Sequence, residues 1–168
     1  MRSAESKKSL RERLAELPPD VFELEGVSVR PIQDEEDLWY AVVECQLAPG
    51  QEQYVNPAGF SLGRAWLYPA NNVPCVIRNE NGERIGFLIL YRWPEHTGWG
   101  YFLDRNRQGC GYGVKAAQLA VAILRAAEPE LPIKLSVEMK NVRAQHLYER
   151  IGFRKTSQLD GDDLVFTI

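Results

Sequence analysis

Asp104-Arg105-Asn106-Arg107-Gln108-Gly109-Cys110-Gly111-Tyr112-Gly113-Val114-Lys115 lies between two readable stretches. Before it, Trp99-Gly100-Tyr101-Phe102-Leu103 has the character of a strand. After it, Val114 to Ala127 contains no Gly, Pro or Asn, which predicts a helix. Glycines at a strand-to-helix junction let successive backbone N–H groups point the same way, and a helix N-terminus adds the positive end of its dipole. Such a nest binds phosphate without a dedicated side chain. Two familiar phosphate loops do not fit. A dinucleotide fingerprint starting at Gly109 needs Gly or Ala at 114, where Val114 stands, and the Gly-Lys-Ser/Thr of a nucleotide-triphosphate loop is missing around Lys115. The plainer reading is a glycine-rich turn that only joins a strand to a helix.

A second segment changes the balance. Asn141-Val142-Arg143-Ala144-Gln145-His146-Leu147-Tyr148-Glu149-Arg150-Ile151-Gly152-Phe153 follows Ile133 to Met139, whose apolar residues alternate with Lys134, Ser136 and Glu138 as in a strand with one buried face. Ala144, Leu147, Tyr148 and Ile151 sit at i, i+3, i+4 and i+7, a helix that Gly152 ends. Alone, a tyrosine on such a face is more often core than catalyst. Together the two segments resemble the GNAT (N-acetyltransferase) superfamily. Gln108-Gly109-Cys110-Gly111-Tyr112-Gly113 matches its Q/R-x-x-G-x-G/A loop. Asn141, Ala144, Leu147, Tyr148, Gly152 and Phe153 match its N-x-x-A-x-x-L-Y-x-x-x-G-F motif. The resemblance covers residues 27–168 and leaves 1–26 as an N-terminal helical extension.

The resemblance implies an α/β (α+β type) fold: a mixed, mostly antiparallel sheet with flanking helices, in which two parallel strands, here 99–103 and 133–139, splay apart. It implies acetyl-CoA as co-substrate. The pyrophosphate would rest on the N–H groups from Gly109 through Cys110, Gly111, Tyr112 and Gly113 to Val114, beside Gln108, with the Cys110 thiol incidental. Phe102, Leu103 and Asp104 would run beside the pantetheine and Asn141 would hydrogen-bond it. Tyr148 would be the general acid for the departing thiolate, and a backbone N–H near Tyr101 to Leu103 would meet the acetyl oxygen. Many members carry a glutamate on the strand before the loop. Thr97 to Leu103 has none, so the base is left open among Glu44, Glu138, His96 and water.

The acceptor is read from a different region. Between Gln33 and Gly63 the chain has Asp34, Glu35, Glu36, Asp37, Glu44 and Glu52 and no Lys or Arg. That would draw a cation. Asp34 to Asp37 read equally as the acids of a helix start, which leaves Glu44 and Glu52. Gln51-Glu52-Gln53-Tyr54-Val55 and Ser61-Leu62-x-x-Ala65 resemble the spermine/spermidine branch of these enzymes, so Glu44, Glu52 and Tyr54 are the expected contacts to a polyamine. The aromatics Trp39, Tyr40, Tyr54, Phe60, Trp66 and Tyr68 are either channel or core. The other acceptors weighed are an amino acid, an aminoglycoside and a peptide N-terminus. A non-catalytic acyl-CoA sensor is the reading outside enzymes.

Composition agrees with one domain. The chain has 168 residues, 45% hydrophobic, with 20 Lys+Arg against 23 Asp+Glu and a net charge of −3. That length buries roughly two-thirds of the unfolded surface around one core. The charge gives no reason to expect nucleic acid. The charged N-terminus, without an apolar stretch, and the lack of a long apolar run predict a cytoplasmic protein with no membrane partner. Cys45, Cys75 and Cys110 form no CxxC pair, and with two histidines neither a disulfide framework nor a metal site is expected. A homodimer is common among proteins this one resembles. Residues 1–17 predict a short helix that Pro18-Pro19 ends, an appended arm rather than core. Asn81-Gly82 between Cys75–Arg78 and Ile85–Tyr91 predicts a hairpin, and Leu164 to Ile168 a final strand.

Overall fold

The computed structural model describes residues 8–168. A five-stranded antiparallel sheet runs β1 (Glu23–Leu24), β2 (Val27–Pro31), β3 (Asn72–Arg78), β4 (Arg84–Arg92), β5 (Thr97–Leu103). A second antiparallel sheet has β6 (Lys134–Val137), β8 (Asp163–Thr167) and β7 (Arg154–Asp160), with β8 in the middle. The sheets touch through one parallel bridge, Thr97 to Ile133, backed by the Thr97 N–H donating to Pro132 O at 3.0 Å. Beyond that point β5 and β6 diverge, as the resemblance implied. Gly98 permits the approach: a Cβ there would come within 2.5 Å of the Lys134 carbonyl oxygen.

Strand alternation sorts the first sheet into two faces. Val73, Cys75, Ile77, Ile85, Leu88 and Leu90 pack under α4 (Tyr112–Ala127), whose Ala116, Ala117, Leu119, Ala120, Ile123 and Leu124 are buried. On the other face Val76, Phe87, Ile89 and Phe102 meet Ala41 and Cys45, which follow α2 (Glu35–Trp39), and Ala58 and Ala65 of α3 (Ala58–Leu67). After α2 the chain continues as a π-helical turn over Tyr40–Glu44. The hairpin turns at Gly82, with φ +75°. α5 (Val142–Arg150) closes the second sheet from outside, and Gly152, at φ +104°, ends it.

The appended-arm expectation is corrected. Residues 1–7 lie outside the described residues, but α1 (Leu10–Ala15) is part of the core. Leu10 is 0% and Leu14 3% exposed, in the cluster that α4 covers. Ser9 and Glu12 form a reciprocal capping box, and Leu10 N–H donates to Ala70 O at 2.8 Å. Glu128, itself buried, pairs with Arg13 of α1 and Arg92 of β4. Two leucines one turn apart suffice to bury a short helix whose other faces are charged. Leu10→Ala is expected to lower the unfolding free energy by about 2–5 kcal/mol, read as a shift in urea midpoint at unchanged slope. Leu67→Ala, on the exposed side of α3, should move it by less than about 0.5 kcal/mol.

Candidate functional site

The divergence of β5 from β6 opens a cleft of about 770 Å³. In an antiparallel pair, residues alternately face the partner strand and face away from it. Asp104 N–H donates inward to Ile85 O, and Thr97 N–H donates outward to Pro132 O. The odd-numbered Trp99, Tyr101 and Leu103 therefore turn their amides to the cleft. Leu103 O accepts from the Gln108 amide at 3.2 Å, so its carbonyl is taken.

The glycine loop is built for open backbone donors. Gly109 and Gly111 have φ +79° and +82°, and a Cβ at either would meet nothing within 4 Å. Backbone conformation, not space, requires glycine at both positions. Gly111 caps α4 without a side-chain acceptor, which leaves the first N–H groups of a 16-residue helix unsatisfied at the loop. Gly113 sits directly over β5, its carbonyl accepting from the Tyr101 hydroxyl at 3.1 Å. Tyr112 turns its side chain away, donating to Glu80 at 3.1 Å, and contributes only backbone. Cys110 is exposed.

Across the cleft, Asn141 caps α5. Its Oδ1 accepts from Ala144 N–H at 3.2 Å, which leaves Nδ2 as a donor beside the cleft. Tyr148 lines the cleft from α5, packed edge-on to Trp99 with centroids 6.1 Å apart and against Phe153 at 5.8 Å. Burial first, then the neighbouring Tyr101 and Tyr91, hold its hydroxyl well above the ordinary tyrosine range. At neutral pH it is a proton donor, not a base.

Of the expected cofactor residues, Phe102, Leu103, Gln108, Gly113 and Asn141 line the cleft. Two side chains act differently from expectation. The Asp104 carboxylate accepts from Gln46 N–H at 3.0 Å and Asn106 N–H at 2.9 Å, tying loop to loop. The Gln108 amide pairs reciprocally with Gln51, at 2.7 and 2.9 Å, latching the 48–56 segment to the glycine loop.

Of the expected acceptor residues, Glu52 and Tyr54 line the cleft, while Glu44 is exposed outside it. The helix-start reading of Asp34 to Asp37 holds. Asp34 caps α2, and Asp37 is buried against Arg78 and Arg84 at 2.6 and 2.7 Å. The cleft's other carboxylates are Glu138, Asp160 and Asp163. His96 lies in the β4–β5 turn, edge-on to Tyr91. Burial, helped by Lys134, lowers its pKa, so it is neutral at pH 7. Of the candidate aromatics only Tyr54 reaches the cleft. Tyr40 is core, and Trp39, Phe60, Trp66 and Tyr68 face solvent. Sequence reading missed Phe87, Ile89 and Tyr91, one alternating face of β4, and Arg64 of α3. The β4 alternation was a usable signal.

A sheet split at two parallel strands, with an uncapped helix N-terminus at the split and a protonated tyrosine across from it, defines the N-acetyltransferase class of fold. The family model described as "Acetyltransferase (GNAT) family" matches residues 36–153, and the chain belongs to this family. Over 88 residues it is 30% identical to "Probable spermine N(1)-acetyltransferase" of Bacillus subtilis subsp. natto (strain BEST195), covering 47% of this chain and 58% of that protein. Over 89 residues it is 30% identical to peptidyl-lysine N-acetyltransferase YjaB of Escherichia coli (strain K12), covering 53% and 54%. The chain thus spans about half the length of the curated relatives it matches. The structure of AAC(6')-Ib with paromomycin and acetyl-CoA superposes with TM-score 0.67 at 21% identity, covering 84% of this chain and 91% of that one.

Proposed function

We propose that this chain is an acetyl-CoA-dependent N-acetyltransferase acting on the primary amine of a small cationic acceptor, of the diamine or polyamine class, by direct attack in a ternary complex. The observation that carries the reading is the meeting, in one cleft, of the free β5 edge, the uncapped start of α4 and protonated Tyr148. N–H groups from Gly109 to Val114 hold the pyrophosphate, and the Asn141 Nδ2 and the free amides of β5 hold the pantetheine arm. The co-substrate supplies a thioester. The Tyr101 or Trp99 N–H stabilises the carbonyl oxygen as negative charge grows there. The neutral amine forms the new C–N bond as the C–S bond breaks; Tyr148 gives its proton to the departing sulfur, and the proton shed by the acylated nitrogen passes to water, from which Tyr148 is reprotonated.

Glu52, Glu138, Asp160 and Asp163 around the cleft support a cationic acceptor, and the similarity to a spermine acetyltransferase points the same way. We place the activity in the cytoplasm. A non-catalytic acyl-CoA sensor is favoured by one observation, the lack of a carboxylate on β5. Mass spectrometry of reactions with spermidine, spermine, putrescine, an aminoglycoside and several amino acids tests the proposal. N-acetylated amine from a cationic acceptor is expected; cofactor binding without product from any amine selects the sensor.

The reaction needs a deprotonated amine and a protonated Tyr148. With the amine near pKa ~10 and Tyr148 above the ordinary value of 10.0, kcat/KM should rise with pH through the neutral range and show no alkaline fall below about pH 10. A descending limb near pH 8 would contradict the Tyr148 assignment.

A further inference from the structure

The acceptor side of the cleft holds a cation as well as carboxylates. Arg64 lies one turn after Ser61 on α3, and both line the cleft. Arg64 is half-buried, with its guanidinium carbon 5.8 Å from the centroid of the Trp93 ring. The fold pairs its other half-buried arginines with acids: Arg78 and Arg84 with Asp37, Arg92 and Arg13 with Glu128, Arg30 with Glu23 and Arg107 with Glu83. Among the described residues Arg64 has no such partner. A guanidinium carries five N–H donors in a planar fork that fits a carboxylate, and Arg64 offers them at the cleft.

The surroundings of Arg64 are bipolar. Arg64, Tyr91 and Asp160 line the same cleft; burial pushes the Tyr91 phenol up to about 12, while Arg64 pulls it down and Asp160 up. Asp160 accepts from Ser136 Oγ at 2.8 Å through Oδ2, which leaves its other oxygen free for a cation. An α-ammonium beside an α-carboxylate presents this same pair of charges.

We propose that the acceptor is a diaminocarboxylate, the class of the basic amino acids, held at its α-carboxylate by Arg64 and Ser61 and at its α-ammonium by Asp160, with the side-chain amine directed to the thioester. The inference rests on the N-acetyltransferase reading and narrows its diamine class. A diamine without the carboxylate would leave Arg64 unpaired.

Matched substrates test it, because lysine and cadaverine, and likewise ornithine and putrescine, differ only by the carboxylate. Wild-type kcat/KM should favour the carboxylate-bearing member of at least one pair by about tenfold or more, mainly through KM. In Arg64→Gln that ratio should collapse towards one, and Arg64→Lys should restore part of it, at unchanged acetyl-CoA affinity. Thermal-shift titration of the CoA-bound protein reads the same preference without turnover. If no amine is acetylated yet lysine binds in an Arg64-dependent way, the proposed reaction fails and the inferred site stands. If cadaverine equals or exceeds lysine in both assays, or Arg64→Gln lowers both alike, the inference is overturned.

Discussion

Tyr148→Phe is expected to lower kcat by roughly 10- to 10³-fold, within the range typical of a positioned general acid, while the Kd for acetyl-CoA stays within about twofold. The hydroxyl is the only group removed. The ring keeps its packing against Trp99, Phe153 and Phe166, so the fold and the cleft survive. The loss should appear in the chemical step: kcat and kcat/KM fall together, the pattern of an interaction made in the transition state. Equal loss of cofactor affinity would make Tyr148 a binding residue. Unchanged kcat would mean that the thiolate leaves without a proton from the protein.

Gly111→Val should raise the Kd for acetyl-CoA by at least about tenfold. A β-branched residue at φ +82° is a backbone outlier costing on the order of 1–3 kcal/mol. Relaxing that strain rotates the first N–H groups of α4 away from their common direction. Gly82→Val is the matched control. It has φ +75° and open space around its Cβ position, but it sits in the β3–β4 turn. Both variants should lose a similar few degrees of Tm. Only Gly111→Val should lose the cofactor. If Gly82→Val weakens acetyl-CoA equally, the effect belongs to global stability and the nest is not the binding element.

The parts of the molecule legible in the sequence are those set by local rules. Gly82 turns the hairpin at positive φ, Val114 to Ala127 contains no helix breaker, and Gly109 and Gly111 have a backbone reason that their positive φ values display. Elements held by distant partners were not legible. α3 carries Gly59 and Gly63 inside and Pro57 at its cap, so its propensity is poor and it forms through packing on Val76 and Phe87. β7 reads Arg-Lys-Thr-Ser-Gln-Leu-Asp, an edge strand almost wholly exposed. No alternation marks such a strand, and its pairing with β8 fixes it.

The site divides in the same way. The residues proposed to hold the cofactor lie in two short segments that the sequence marks by itself, and there the side chains of Asp104 and Gln108 serve loop contacts. The residues proposed to hold the acceptor come from α3, β4, β7 and β8, which meet only in the folded chain. Glu44 and Glu52 looked equivalent in sequence. The π-helical turn directs Glu44 to solvent, while the segment latched by Gln51 and Gln108 carries Glu52 to the cleft.

Release of CoA thiol from acetyl-CoA by the purified chain, with amine and without, tests whether it transfers acetyl groups to amines. We predict slow background release alone and turnover that saturates with a cationic amine, with one N-acetylated product per thiol. Tight acetyl-CoA binding with no amine-dependent thiol release from any acceptor in the panel would contradict it.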